Sequence, residues 1–337
     1  MTVFFERAMR IKQASGMMKI MNKFGKKKTS MTKIPLIIST DPGIDDIAAM
    51  TISLFAEKLD VKMIVPTWGN VALKYTLQNT LNLEKFLNTK VPIVVGANQP
   101  LVRPAISAAS VHGKTGIAGY EFEKADTSLI EKGLAATKMH EVIQKSTQKV
   151  TLMGIGPLTD FALLFKQYPK DLEKIQEVVI MGANIGHGNH SPFAEYNIAG
   201  DPEAASVVFD SGLPIKVAPL EIGDKAHVTQ DQMAKIKSQG QVGEMLYAMF
   251  SHIKEPDGDP RIKIYDPTAV GILLKPEMYT FKKARVDIEL AGKFTAGASA
   301  MDFISDKSNA EIAVDVDTQE FADWFVDSVK KADQGRK

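Results

Sequence analysis

The sequence contains no cysteine among its 337 residues. This absence excludes disulfide bonds, metal sites built from thiolates and catalysis by a cysteine nucleophile, and it is typical of proteins in a reducing cytoplasm. No run of 18 apolar residues occurs, and residues 1–30 lack the apolar segment of a secretory signal. We therefore predict a cytoplasmic protein that neither crosses nor binds a membrane.

Acidic and basic residues are nearly balanced in number but unevenly distributed. The chain has 41 Lys and Arg against 40 Asp and Glu, yet residues 1–33 contain nine basic residues and one acid. That segment is therefore +8 and the remainder is −7. We predict that residues 1–33 form a basic N-terminal extension, either disordered or non-native with Met31 as the natural start; a weak amphipathic helix is the alternative. Basic and aromatic residues are not interleaved, so we expect no nucleic-acid partner.

From residue 34 onward, short apolar runs rich in Val and Ile alternate with helical patterns. The predicted strands are Pro35–Ser39, Val61–Pro66, Pro92–Val95, Val150–Met153, Val178–Met181, Pro214–Ala218, Val286–Leu290 and Glu311–Val316. The predicted helices are Ile44–Leu59, Ala72–Leu87, Ser128–Gln148, Leu158–Tyr168, Asp201–Ser211, Gln230–Ile253, Pro267–Leu274 and Gln319–Lys331. This alternation predicts an α/β fold, with a mainly parallel central sheet flanked by helices in a single domain over residues 34–333.

Ligands of such sheets bind outside the carboxyl ends of the strands. Glycines and polar residues follow four of the predicted strands, in the segments 40–46, 67–70, 154–159 and 182–189. Tight turns explain the glycines. They do not explain three carboxylates, Asp41, Asp45 and Asp46, within six residues.

These three aspartates surround the start of a predicted helix. Asp residues are common helix caps, but capping accounts for one or two of them rather than three. Clustered carboxylates repel and raise one another's pKa unless a cation neutralises them. Because the chain has neither cysteine nor a paired-histidine motif, the pattern favours an all-oxygen site for Ca²⁺ or Mg²⁺.

The segment Thr40–Asp46 resembles the N-terminal aspartate signature of the inosine–uridine-preferring nucleoside hydrolases, which cleave the N-glycosidic bond of ribonucleosides to ribose and free base. Further segments agree in order and spacing: 68–71, 156–160, 181–204 and Asp266-Pro267. The resemblance covers about residues 34–305. It implies a nucleoside hydrolase-like fold, a homodimer or homotetramer and one Ca²⁺ per subunit.

The resemblance also implies a role for individual residues. Asp41 would be a Ca²⁺ ligand and the general base that deprotonates a metal-bound water, and Asn70 would orient it. The other metal ligands would be Asp46, Asp266 and the backbone carbonyl of Ile155.

Four further residues would hold the ribose hydroxyls of the substrate: Asp45, Asn189, Glu195 and Asn197. The sequence offers two candidates for assistance to the leaving base. Many family members have His where this chain has Tyr265, and a phenol with a pKa of about 10 is a poorer acid than imidazolium. His112 matches a family histidine near the base and is the second candidate.

Cleavage of a nucleoside builds oxocarbenium character on the ribose, which contacts to its hydroxyls and nearby negative charge stabilise. We therefore predict a Ca²⁺-dependent ribonucleoside hydrolase of nucleoside catabolism. One alternative is a non-catalytic ribose- or nucleoside-binding protein, suggested by Tyr265. A less favoured alternative is an Asp/Mg²⁺ phosphohydrolase, whose two aspartates would be two residues apart, whereas Asp41 and Asp45 are four apart.

Overall fold

A ten-stranded, mostly parallel sheet lies at the centre of the described part of the chain, residues 32–253 and 258–336. The structure is a computed structural model. Residues 1–31, and with them nearly all of the predicted basic extension, lie outside the described residues. The predicted α/β fold with a mainly parallel sheet flanked by helices is confirmed.

The strands are β1 (Ile34–Thr40), β2 (Leu59–Pro66), β3 (Ile93–Val94), β4 (Ile130–Glu131), β5 (Val150–Gly154), β6 (Ile175–Met181), β7 (Ile215–Ala218), β8 (His227–Val228), β9 (Ile262–Lys263), β10 (Tyr279–Ile288), β11 (Ser299–Asp302) and β12 (Ala310–Val316). The order in the sheet is β11-β10-β12-β7-β6-β5-β1-β2-β3-β4, and β8 pairs with β9 separately. Only the pairs that β10 makes, with β11 and β12, are antiparallel in the described part of this sheet.

The helices are α1 (Ile44–Phe55), α2 (Leu73–Leu87), α3 (Ala109–His112), α4 (Ala135–Lys145), α5 (Thr159–Gln167), α6 (Tyr196–Gly200), α7 (Pro202–Phe209), α8 (Leu220–Lys225), α9 (Gln230–Lys237), α10 (Gln241–Phe250), α11 (Pro267–Leu274) and α12 (Thr318–Gly335). Two 3₁₀ helices cover Pro169–Lys174 and Pro276–Met278.

Helices cover both faces of the sheet, which is why its central strands are continuous apolar runs. Leu36, Ile37 and Ile38 of β1 are all fully buried. Leu36 and Ile38 pack into the core formed with α1, α10, α11 and α12, whereas Ile37 packs into the opposite core with α4, α5 and α7. The described residues include no helix that is long and apolar enough to cross a membrane.

The chain reverses its direction across the sheet between β1 and β5. It moves outward from β1 through β2, β3 and β4, and then returns to place β5 on the other side of β1. The turns after these strands are joined by backbone hydrogen bonds, from Thr67 N to Thr40 O at 2.8 Å and from Ile155 N to Ser39 O at 3.0 Å. In an open α/β sheet this switch point forms the crevice that binds ligands.

Several predicted element boundaries were wrong. The predicted helix Gln230–Ile253 is two helices, α9 and α10, because Gly240 between them has φ +147°. The predicted helix Ser128–Gln148 is only α4, since Ile130–Glu131 pairs with β3 as a strand. The predicted helix Ile44–Leu59 ends at Phe55, because Leu59 already begins β2.

The C-terminal edge of the sheet also differs from the prediction. The predicted strand Val286–Leu290 is the end of the longer β10, which starts at Tyr279. The sequence analysis missed β11, which pairs with β10 in antiparallel register. These strands lie at one edge of the sheet, away from the switch point.

Candidate active site

Four aspartates converge at the switch point. Asp41 follows β1, Asp45 and Asp46 lie in the first turn of α1, and Asp266 immediately precedes α11. Carboxylate oxygens of Asp45, Asp46 and Asp266 lie within 4.8 Å of one another. The fold therefore unites residues more than 200 positions apart in one acidic cluster.

Asp46 shapes the turn that holds this cluster. Its Oδ1 accepts a hydrogen bond from the Thr40 hydroxyl at 2.5 Å, and its Oδ2 accepts from Gly43 N at 2.9 Å and from Asn70 Nδ2 at 3.1 Å. Gly43 is the N-cap of α1, so Asp46 reaches back from the third helical position to an otherwise free backbone N–H. The capping interpretation thus applies to Asp46.

Asp41 is fully buried and only half satisfied. Its Oδ2 accepts a short hydrogen bond of 2.6 Å from Asn70 N, and the Asn70 side chain donates to the Asp41 carbonyl at 3.1 Å. None of the described residues donates a hydrogen bond to Asp41 Oδ1. A buried carboxylate oxygen without a donor carries a large desolvation penalty unless a bound group compensates it.

Two glycines leave just enough space for the Asp41 carboxylate. A Cβ atom at Gly69 would lie 2.0 Å from Asp41 Oδ2, and one at Gly156 would lie 2.3 Å from Oδ1. Any other residue at either position would displace the carboxylate or the turn. The glycines after β2 and β5 therefore permit close approach as well as turn formation.

Burial of these carboxylates is electrostatically unfavourable. Burial first, and then the negative charges of the neighbouring aspartates, raise the pKa of Asp41 and of Asp266 well above the usual range. Burial also raises the pKa of Asp45 to about 6. None of the ion pairs in the described part of the chain includes any of the four aspartates. The cluster lacks a positive side chain to balance it.

The loop between β6 and α6 is held by Glu195. This buried residue caps α6: its Oε1 accepts from Asn197 N at 2.8 Å and its Oε2 from Ile198 N at 3.1 Å. Oε2 also accepts from Ala183 N at 3.0 Å. Burial raises the pKa of Glu195 to about 7. The carboxylate thereby fixes both ends of the loop.

Asn197 connects this loop to the switch point. Its Nδ2 donates to Met181 O at 3.2 Å and to Ile155 O at 3.4 Å, at the ends of β6 and β5. Asn189 is exposed in the middle of the loop, and its Oδ1 accepts from Tyr196 N at 2.8 Å. Asn189, Glu195, Asn197 and the Ile155 carbonyl therefore belong to one hydrogen-bonded region.

Sequence reasoning missed Tyr196, whose hydroxyl donates to the carbonyl of Gly69 at 2.9 Å. Tyr196 stands between two predicted site residues, Glu195 and Asn197, so its position was a usable signal. Its partner, 127 residues away, could be identified only from the fold.

His112 and Tyr265 have different surroundings. His112 Nδ1 accepts from Ile44 N at 3.3 Å, over the start of α1, and burial lowers the pKa of the ring. The neutral ring that accepts at Nδ1 carries its proton on Nε2. The Tyr265 hydroxyl instead donates to Asp224 Oδ1 at 3.0 Å, and the Tyr265 ring packs closely on Gly223.

Comparisons with known proteins agree on one family. Residues 36–323 match the family model described as inosine-uridine preferring nucleoside hydrolase. The chain is 39% identical over 303 residues to the non-specific ribonucleoside hydrolase RihC of Klebsiella pneumoniae, covering 89% of this chain and 99% of that protein. The Escherichia coli protein of the same name is 38% identical over 298 residues, covering 88% of this chain and 98% of that protein.

Solved structures show the same fold. The purine-preferring ribonucleoside hydrolase from Gardnerella vaginalis superposes with a TM-score of 0.83 at 24% sequence identity, covering 89% of this chain and 99% of that chain.

The substitution Gly156→Ala tests the close packing around Asp41. Because its Cβ would collide with Asp41 Oδ1, we expect a loss of about 100-fold or more in kcat/KM for ribonucleoside hydrolysis, the reaction in the names of the relatives. Steady-state kinetics and a thermal melt measure activity and folding. Gly212→Asn is the control, since Gly212 is exposed, its Cβ would contact nothing within 4 Å and asparagine adopts a φ of +78° more readily than other side chains. Full activity in folded Gly156→Ala would contradict the close packing of Gly156 against the Asp41 carboxylate.

Proposed function

Because the chain belongs to the inosine–uridine preferring nucleoside hydrolase family, we propose that it hydrolyses the N-glycosidic bond of ribonucleosides to ribose and a free purine or pyrimidine base. The observation that carries the proposal is the Asp41 carboxylate, buried at the switch point with one oxygen that lacks a donor among the described residues. A desolvated carboxylate with one oxygen free of hydrogen bonds, placed at a ligand-binding crevice, is suited to accept a proton.

The acidic cluster fits a divalent cation bound by oxygen. Carboxylate oxygens of Asp46 and Asp266 lie within 4.8 Å of each other, and we propose Asp41 and the backbone carbonyl of Ile155 as further ligands, so that the set contains only oxygen. This donor set suits Ca²⁺, which accepts carboxylate and carbonyl oxygens in flexible geometry. When bound, the cation would balance the buried negative charge and acidify water in its coordination shell.

Asp45 lies within the same cluster, although the sequence analysis assigned it to the substrate. As a whole residue it is partly exposed, although its carboxylate is buried like those of Asp46 and Asp266. We propose that Asp45 faces the ribose hydroxyls from the edge of the metal site.

Asp41 acts as the general base in this proposal. Asn70 N holds Oδ2, so the second oxygen, Oδ1, takes a proton from the attacking water. Gly69 and Gly156 allow the turns to close on this carboxylate, and the hydrogen bond from Asn70 N holds it, which reduces the reorganisation needed in the transition state.

The loop between β6 and α6 supplies the ribose contacts in this proposal. Asn197 donates its amide N–H groups to backbone carbonyls, which leaves its amide oxygen to accept from a ribose hydroxyl. Asn189 uses its oxygen on Tyr196 N and keeps its amide N–H groups for the substrate. Glu195 fixes the loop, and its Oε1, which accepts from Asn197 N, has a second lone pair that we assign to a ribose hydroxyl.

Departure of the base requires a hydrogen bond or a proton from the protein. We propose two candidate donors: Nε2 of the neutral His112 and the hydroxyl of Tyr265. The Tyr265 proton points to Asp224, so it must rotate to reach a base. The preferred base, a cytoplasmic location and a homodimeric or homotetrameric assembly stay predictions.

A single assay tests the proposed function. The protein is incubated with inosine, uridine, cytidine, adenosine and a nucleotide, with and without a chelator, and reducing sugar and phosphate are measured. We expect release of ribose from nucleosides, loss of that activity with chelator and recovery on addition of Ca²⁺. Asp41→Asn keeps the size of the side chain and should lower kcat by about 10²–10⁴-fold.

The matched control is Asp171→Asn, since Asp171 is also buried but lies on a remote 3₁₀ helix, where its carboxylate bonds to His140 and Gln144. It should retain wild-type turnover. Release of phosphate would favour the Asp/Mg²⁺ phosphohydrolase. Tight nucleoside binding without turnover would favour a binding protein, and full activity of Asp41→Asn would remove Asp41 as the base.

The substitution Tyr265→Phe tests assistance to the leaving base. If the hydroxyl assists, the variant should slow cleavage of inosine or uridine by about 10-fold, the value of one lost hydrogen bond, and leave cleavage of a nitrophenyl riboside almost unchanged. A nitrophenolate departs without protonation, which makes it the internal control. Equal effects on both types of substrate would assign Tyr265 a role other than leaving-group activation.

A further inference from the structure

Tyr196 joins two parts of the site that are far apart in sequence. Its backbone N–H donates to Asn189 Oδ1 at 2.8 Å, within the loop assigned to ribose. Its hydroxyl crosses to the turn after β2 and donates to Gly69 O at 2.9 Å. One residue therefore ties the ribose loop to the turn that holds Asp41.

The hydrogen bond to Gly69 ends on a peptide group that also contacts Asp41. The carbonyl of Gly69 and the N–H of Asn70 belong to the same peptide unit, and this N–H donates to Asp41 Oδ2 at 2.6 Å. The two groups of a trans peptide point in opposite directions and share electron density through resonance. Tyr196 and Asp41 thus form hydrogen bonds with the carbonyl and the N–H of the same peptide group, on opposite sides of it.

Two physical effects follow from this arrangement. Donation to the carbonyl polarises the peptide, so that the N–H becomes a stronger donor to the carboxylate. Bonding at both edges also restricts rotation of the peptide, which sits where Gly69 offers little steric resistance of its own. Burial raises the pKa of the Tyr196 phenol, and the negative charges of Asp41 and Glu195 raise it further. The hydroxyl therefore keeps its proton and stays a donor.

We propose that Tyr196 is a positioning residue for Asp41, acting from its hydroxyl through the Gly69–Asn70 peptide to hold the reacting carboxylate while the ribose loop is engaged. The inference rests on the proposed function in that Asp41 is taken as the base. It assigns Tyr196 to the speed of the chemical step rather than to substrate affinity.

The test is Tyr196→Phe, which keeps the ring and its edge contact with His190 and removes only the hydroxyl. We expect kcat to fall by about 10-fold with KM changed by less than about twofold, as for an interaction that acts in the transition state. Tyr168→Phe is the matched control, because it removes a hydroxyl bonded to Thr137 far from the site and should leave both constants unchanged.

A double variant separates action through Asp41 from an independent effect. If Tyr196 acts through Asp41, Tyr196→Phe should change the residual rate of Asp41→Asn by less than about twofold. Retention of the full 10-fold effect in the double variant would overturn the proposal. So would an unchanged kcat in Tyr196→Phe, or a raised KM alone.

A measurement that needs no turnover keeps this inference distinct from the proposed function. In ¹⁵N-labelled wild-type protein, the Asn70 amide proton should resonate downfield because its hydrogen bond to Asp41 is short. Tyr196→Phe should move this resonance upfield and Tyr168→Phe should not. An unchanged Asn70 resonance in Tyr196→Phe would overturn the positioning role of Tyr196. A wild-type protein without nucleoside turnover would overturn only the proposed function.

Discussion

The structure depends on uncompensated negative charge buried at the switch point of its sheet. Four aspartates meet at the switch point between β1 and β5, and none of them forms an ion pair with a described lysine or arginine. Hydrogen bonds from Thr40, Gly43 and Asn70 offset part of this charge. The remainder must be balanced by protonation of a carboxylate or, as we propose, by a bound cation, because desolvated like charges raise the free energy of the folded state. The charge cluster therefore lowers the stability of the folded protein until a bound group balances it.

The surrounding fold holds one of these carboxylates, that of Asp41, in a fixed orientation. Backbone hydrogen bonds join the turns after β1, β2 and β5, and two glycines allow these turns to close on Asp41. One Asp41 oxygen is fixed by Asn70, while the other has no donor among the described residues and is the one that we propose as the base. The Tyr196 hydroxyl extends this control to the loop that we assign to ribose. The position of the Asp41 carboxylate therefore depends mainly on backbone groups of several turns.

The sequence predicted the fold class and the acidic cluster for physical reasons. Apolar strands buried on both faces are recognisable from composition alone, and three carboxylates near one helix start have few structural explanations. Two-residue strands such as β4 carry no periodic signal, and the break at Gly240 interrupts a pattern that reads as one helix. The capping role of Asp46 is a local contact over three residues, which the clustering of aspartates at a helix start anticipates. The contact of Tyr196 with Gly69 is tertiary, so it could not be derived from local pattern.

The central claim, that a bound cation balances the buried carboxylates, is tested most directly by thermal unfolding of the full chain with Ca²⁺ and with chelator. At free Ca²⁺ about 100 times its Kd, binding should stabilise the folded protein by about 2.7 kcal/mol and raise the melting midpoint by several degrees. Asp266→Asn, which removes one carboxylate from the cluster, should reduce this increase. An identical midpoint in Ca²⁺ and in chelator for the wild-type protein would contradict the account.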